Sequence, residues 1–273
     1  MSTRSSAGSG AEVFGGRTEQ WAAWQAEPWG RLRYAVAAHT TSRALAGLSG
    51  PLRIVDVGGG DGADSLPLAR AGHDVTILNF SGPLLHAASA AAEAAGVGHR
   101  VRTVCADLDD LAALHLDGQA FTGSFDAVLC HNVVHHRPDV PATVTDLVAL
   151  LRPGGVVSVM APNPAMDVLA AAVRRADPEA ALDVLDADTV HSRTFDHPMR
   201  RVEAATVEVA LQAAGCVVEH HFGIRCVMDL IADDDLKRDP AFYERLERLE
   251  LALCEREPYR RTARFWQLTA RRR

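Results

Sequence analysis

The run Arg53-Ile-Val-Asp-Val-Gly-Gly-Gly-Asp-Gly62 constrains the fold more than any other stretch of the chain. Ile54, Val55, Asp56 and Val57 read as a short buried strand that carries an acid near its end. Glycines at 58, 59, 60 and 62 then form a turn, and Ala63 to Arg70 has helical spacing. Strand, glycine turn and helix in that order put backbone N–H groups and a helix N-terminus at the carboxyl edge of a sheet. Glycine suits such a turn because positive φ and close backbone approach to a ligand are costly for a residue with a Cβ. The run alone leaves the ligand open, since Gly58, Gly60 and Ala63 also satisfy the G-x-G-x-x-G/A dinucleotide fingerprint.

The rest of the chain supplies a doubly wound α/β sheet around that turn. Upstream, Val13 to Trp29 carries Phe14, Trp21, Trp24 and Trp29, spaced as a cap that packs over something, and Arg31 to Leu48 has helical spacing. Downstream, a strand over 74–79 precedes a helix over 81–95, with Ser81 placed as N-cap and Gly96 as the stop. Strands over 101–105 and 125–130, a helix over 140–151 stopped by Arg152-Pro-Gly-Gly155, and a strand over 156–160 follow. Strands alternating with helices indicate a parallel sheet. The rhythm breaks over Ala165–Arg201, which reads as an insertion or lid after the fifth strand. A helix over 203–214, a strand over 216–222, a helix over 240–255 and a strand over 264–270 complete a seven-stranded Rossmann-like sheet. The expected organisation is a disordered tail over 1–12, an N-terminal helical cap over 13–50 and one domain over 51–273.

Composition narrows the partners. A formal charge of −7 gives no global attraction to phosphate backbones, which leaves only a local basic patch for any nucleic-acid contact. Five cysteines, odd in number and without a C-x-x-C pair, fit a reduced interior. No apolar run is long enough to span a membrane, and the Ser/Gly-rich start is no signal peptide, so a cytoplasmic protein is expected. His131 and His135 invite a metal reading, but His-Asn-Val-Val-His lacks the glutamate of H-E-x-x-H and begins at a strand end, so no metal is expected.

Three features favour S-adenosylmethionine over a nicotinamide. About fifty residues precede the glycine turn, Asp107 follows the third strand where it can accept from an adenine amino group, and Leu150-Leu-Arg-Pro-Gly-Gly155 precedes strand five. With Asp56-Val-Gly-Gly-Gly-Asp-Gly62, Asp107 and Leu151-Arg-Pro-Gly-Gly155 in that order, the chain resembles the class I S-adenosylmethionine-dependent methyltransferases. Gly30-Arg-Leu-Arg33, Gly223-Ile-Arg225, Asp229, Cys254-Glu-Arg-Glu-Pro-Tyr259 and Thr269-Ala-Arg271 look like the bacterial tRNA 5-carboxymethoxyuridine methyltransferase group. That resemblance implies methyl esterification of a carboxylate on a wobble uridine. It also implies a cofactor pocket formed by Arg33, Gly58, Gly59, Asp107, Leu108 and His131, beside Asp56 and Gly60 of the glycine run. One position departs from the pattern. The end of the second strand usually supplies an acid for the ribose hydroxyls, and here it is Asn79, an amide without charge assistance.

The acceptor is less constrained. A carboxylate acceptor is ionised at neutral pH and needs cationic forks rather than a base. Arg193, Arg201 and Arg225 are the candidates, with Arg225 foremost because it follows a strand. A phenol or alcohol acceptor would need a base, for which His131, His135, His136 and Tyr259 are available. The acceptor is therefore a tRNA carboxylate or a small molecule such as a secondary metabolite. A nicotinamide oxidoreductase and a non-catalytic cofactor-binding protein stand as readings of other classes.

Overall fold

Burial decides the centre of the sheet. Ile54, Val55 and Val57 are 0% exposed and Asp56 is 1% exposed, so their strand is covered on both faces. Two-sided burial is what an interior parallel strand requires. In the computed structural model, which describes residues 18–192 and 197–273, seven strands form the main sheet. They are β1 (Arg53–Val57), β2 (Asp74–Asn79), β3 (Val101–Cys105), β4 (Phe125–His131), β5 (Leu151–Pro162), β6 (Cys216–Ile224) and β7 (Phe265–Arg272). Their spatial order is β6-β7-β5-β4-β1-β2-β3. All pairings are parallel except those of β7, which runs antiparallel to β5 and to β6. The winding reverses between β1 and β4, and the carboxyl ends of those two strands part to leave a crevice.

Helices cover both faces: α1 (Thr18–Ala26), α2 (Pro28–Leu45), α3 (Leu66–Arg70), α4 (Gly82–Ala94) and α5 (Val140–Leu150). They are followed by α6 (Pro164–Leu169), α7 (Pro178–Leu185), α8 (Ala204–Ala213), α9 (Asp234–Arg238) and α10 (Pro240–Leu253). On one face Val55, Val57, Val128 and Cys130 pack against Val144 and Leu147 of α5 and Val207 and Leu211 of α8. On the other, Ile54, Ile77 and Leu129 meet Leu45 of α2, Leu68 of α3 and Ala88 of α4. Helix α2 also belongs to a third cluster, where Leu32 and Val36 pack on Phe222, Ile224 and Leu246. Anchored in two clusters, α2 holds Arg33 rigidly over the crevice. Among the described residues no helix is long and apolar enough to cross a membrane.

Several local expectations give way to tertiary structure. The helix after the glycine turn starts at Leu66 rather than at 63. Turn hydrogen bonds from Gly62 N to Gly59 O and from Ser65 N to Gly62 O come first, so the glycine bend extends a further turn before the helix begins. Arg152-Pro-Gly-Gly155 does not lie outside strand five but within it. The β4–β5 register breaks there, from Phe125 opposite Leu151 to Ala127 opposite Val156, so the four residues bulge from a continuous strand. Ser81 occupies the N-cap of α4 but its side chain makes no cap bond. The segment after β5 forms α6, a short π-helical turn over 170–174, α7 and a hairpin pairing Thr189–Ser192 with His197–Arg200.

Candidate cofactor and acceptor site

A cavity of about 560 Å³ opens at the carboxyl ends of β1, β2, β4 and β5, roofed by α1 and α2. Its floor is the glycine bend. The N–H groups of Gly58 and Gly59 both donate to Leu78 O, at 2.8 and 3.1 Å, so they tie the bend to β2 instead of facing the cavity. A Cβ on Gly58, whose φ is +77°, would sit 2.4 Å from Val133 Cγ2, and one on Gly59 would sit 2.6 Å from the Asp56 carboxyl. Both glycines are therefore demanded by packing between β1, the bend and the segment after β4. The Cβ position of Gly60 meets nothing within 4 Å and opens on the cavity.

A buried polar chain runs along the wall. Arg33 Nη1 donates to Asp64 Oδ1 at 2.5 Å, and Asp64 Oδ2 lies 3.2 Å from His131 Nδ1. His131 Nε2 is 2.9 Å from Ser158 Oγ, and Gln267 Nε2 donates to that same oxygen at 2.8 Å. Gln267 Oε1 in turn accepts from Thr40 Oγ1 at 2.6 Å. Read by its donors, the chain makes Ser158 the donor to His131 Nε2 and puts the imidazole proton on Nδ1, facing Asp64. Burial alone would raise the Asp64 carboxyl. The charge of Arg33, with the hydrogen bonds from Arg33 and His131, outweighs it and holds Asp64 well below the usual carboxylate range. Asp56 behaves oppositely. Burial and the neighbouring Asp64 charge push it up to about 6, against the 2.6 Å hydrogen bond from Ser65 Oγ.

The two remaining ends of the cavity differ in chemistry. Toward β2 and β3 stand Asn79, Phe80, Asp107 and Leu108. Asn79 Oδ1 accepts from Ser81 N at 2.8 Å, so the amide presents its N–H₂ group to any further partner. Asp107 Oδ1 accepts from Asp109 N at 3.0 Å, capping the short 3₁₀ helix over 108–113. Toward β5 and β7 stand Arg225, Asp229, Arg264, Phe265, Pro162 and Met199, and His135, His136 and Arg137 line the cavity from the segment after β4. Arg225, at φ +63°, forks onto Asp229 through Nε at 2.8 Å and through Nη2, while its Nη1 donates to Trp29 O at 3.2 Å. Glu250, 0% exposed, fixes that loop by accepting from the backbone N–H groups of Cys226, Val227 and Met228. His135 is buried, and burial followed by the nearby His136 holds it well below the ordinary imidazole value. Trp21 and Trp24 stack with ring centroids 5.0 Å apart on the rim.

A methyltransferase-domain family model matches residues 54–155. Over 244 residues the chain is 30% identical to the tRNA 5-carboxymethoxyuridine methyltransferase of Escherichia coli (strain K12), which spans 89% of this chain and 88% of that protein. The chain belongs to the class I S-adenosylmethionine-dependent methyltransferases. A ubiquinone biosynthesis O-methyltransferase of Psychrobacter cryohalolentis shares 37% identity over 121 residues, 44% of either protein. Among solved structures, a magnesium protoporphyrin IX methyltransferase from Synechocystis has the same fold, with a TM-score of 0.62 at 16% identity over 96% of this chain and 98% of that one. S-adenosylmethionine is thus the methyltransferase's cofactor, and the wall suits it. Asp56, Asp61, Asp64 and Asp107 give acidic surroundings for a cationic donor, and Asn79 and the open side of Gly60 offer a polar cradle.

The expected cofactor residues Arg33, Asp56, Gly58, Gly59, Gly60, Asn79, Asp107, Leu108 and His131 all line this one cavity, as does Arg225. Three other expectations need correction. His131 has both ring nitrogens engaged, by Asp64 and Ser158, so it is a wall residue and not a free base. Tyr259 is 43% exposed, on a turn outside the cavity, because the Glu257–Arg261 segment packs against β6 from outside. Arg201 does not face the cavity either. Its guanidinium donates to the carbonyls of Leu185, Ala187 and Pro164 and ties the lid together. Arg193 lies outside the described residues. Asp64 escaped the sequence reading, and Arg264 was not among the arginines expected to hold a carboxylate. Asp64 fell inside a segment read as helix, and Arg264 was one arginine among many.

Proposed function

We propose that this methyltransferase methylates a carboxylate oxygen on a modified wobble uridine of tRNA. The observation that carries this reading is the similarity to the Escherichia coli enzyme, which covers 89% of this chain rather than the cofactor half alone. The cofactor supplies an activated methyl on a sulfonium, and the chain's own residues hold the two reactants in line and keep water out. Gly58 to Gly60 would form the bend beneath the donor, Asn79 would hold its ribose, Asp107 and Leu108 would receive its purine, and Arg33 and His131 would close the wall. An ionised carboxylate needs no proton removed. His131, whose two nitrogens bond to Asp64 and Ser158, fits a chemistry that takes no proton from the acceptor. The positive groups at the β5–β7 end supply the counter-charge the acceptor needs.

A second reading is a small-molecule O-methyltransferase, favoured by the net charge of −7 and by the similarity to the ubiquinone biosynthesis enzymes. That similarity covers only 44% of either chain. The deciding experiment incubates the protein and S-adenosylmethionine with tRNA carrying 5-carboxymethoxyuridine, then digests the tRNA to nucleosides. A wobble nucleoside heavier by one methylene supports the proposal. An unchanged nucleoside, with transfer to a small phenol, supports the second reading.

A further inference from the structure

Two arginines stand at the acceptor end of the cavity, and they are not equivalent. Arg225 is 5% exposed and its charge is already matched by the fork onto Asp229, with Nη1 held by Trp29 O. Arg264 makes one hydrogen bond to a described side chain, from Nη1 to Asp167 Oδ1 at 2.6 Å. Its side chain keeps 26% of its surface exposed, and it lines the cavity. The guanidinium thus has one fixed partner and a side chain that is partly exposed where it lines the cavity.

Strand register fixes the level at which that side chain stands. His131 of β4 pairs with Met160 of β5, which pairs with Gln267 of β7. Arg264 precedes Gln267 by three residues, which carries it roughly 10 Å along the strand direction, past the level of the cofactor wall. Its backbone is pinned on both sides, since Arg264 N donates to Arg225 O at 2.9 Å and Asn163 N donates to Arg264 O at 2.9 Å. Asp167 comes from α6, the first helix of the lid, so lid and arginine are held together.

We infer that Arg264, aimed by Asp167, is the residue that recognises the acceptor's carboxylate, while Arg225 with Asp229 and Glu250 forms the structural wall behind it. The inference rests on the carboxylate reading of the acceptor. A guanidinium with one side fixed by an internal carboxylate still offers a planar pair of N–H donors to a second carboxylate. Asp167 acts through Arg264 and is a positioning residue.

The test uses the full chain loaded with S-adenosylhomocysteine and two probes, phenoxyacetate and its neutral analogue phenoxyacetamide. Phenoxyacetate carries the same ether-linked acetate as the proposed nucleoside. The wild type should bind the anion roughly 10- to 100-fold better than the amide, the range expected for charge-assisted hydrogen bonds. Arg264→Gln should abolish that preference while leaving S-adenosylhomocysteine affinity unchanged. The Arg264→Gln/Asp167→Asn double variant, which leaves no unpaired buried charge, should do the same if the single variant folds poorly. Arg264→Lys should retain part of the preference. A wild type that binds both probes equally, or a double variant that still prefers the anion, overturns the inference. Failure of tRNA methylation with the preference intact would instead overturn the tRNA reading and leave the role of Arg264 standing.

Discussion

Replacing Asn79 with aspartate should tighten the hold on the cofactor. Asn79 is 5% exposed, and its Oδ1 already accepts from Ser81 N at 2.8 Å. Only its N–H₂ group is left to meet the ribose, whose hydroxyls are best held by an acceptor. A carboxylate at this position keeps the Ser81 bond on one oxygen and offers the other to the diol. Charged hydrogen bonds contribute about 1.5–3 kcal/mol against about 1 kcal/mol for neutral ones. Burying the new charge offsets part of that gain. The expected net gain of about 1 kcal/mol lowers the dissociation constant of S-adenosylhomocysteine roughly five- to tenfold. Calorimetric titration of both proteins at neutral pH measures it, with thermal unfolding of the unliganded forms as the control. Equal or weaker binding by a folded Asn79→Asp protein would refute the account of this end of the cavity.

Other variants probe the floor, the wall and the acceptor loop. Gly58→Ala places a methyl 2.4 Å from Val133 Cγ2 at φ +77°, so it should destabilise by about 2–3 kcal/mol. Adding Val133→Ala should restore part of that loss, leaving the backbone strain; no recovery in denaturant unfolding would rule out the clash as its cause. Asp64→Asn leaves the Arg33 charge buried without its partner and should destabilise by about 3–5 kcal/mol at pH 7, read by urea unfolding. The pH dependence has opposite signs at the two acids. Asp56, raised to about 6, keeps its proton in the folded chain after the unfolded chain has lost it. Its contribution therefore falls by roughly 3 kcal/mol as pH rises from about 4 to about 6, and Asp56→Asn should remove that slope. Asp64, held low, gives stability that is present above the unfolded pKa and lost as pH falls through the folded one. Glu250→Gln exchanges a carboxylate that takes three backbone N–H groups for an amide with one acceptor oxygen. Thermal unfolding should register a loss of about 2–3 kcal/mol, and an unchanged midpoint would contradict the role given to this carboxylate.

The doubly wound sheet and the cavity floor were legible because short-range rules govern them. Apolar strands separated by helical spacing indicate a parallel sheet whatever the tertiary detail, and glycines at 58 and 59 report a bend with no room for a side chain. What escaped depends on partners distant in the chain. Gln267 reaches Ser158 across 109 residues, and that contact occupies His131 Nε2 and removes the base role its position suggested. Arg201 looked like an acceptor fork, yet three lid carbonyls lie within its reach and take its donors. Arg152-Pro-Gly-Gly155 carried turn chemistry correctly, but pairing of β5 on both sides drew it into a bulged strand. Propensity sees the local bend and has no access to the ladder that absorbs it.

The central claim is that the methyl passes to a carboxylate, and the stability of the transferred methyl tests it most directly. The protein is incubated with S-adenosylmethionine labelled in the methyl group and with acceptor tRNA, and the product is treated with mild alkali. A methyl ester hydrolyses and releases the label as methanol, which is the result expected here. Label that enters the tRNA and survives alkali would mean transfer to a nitrogen, a carbon or a hydroxyl, and would contradict the account.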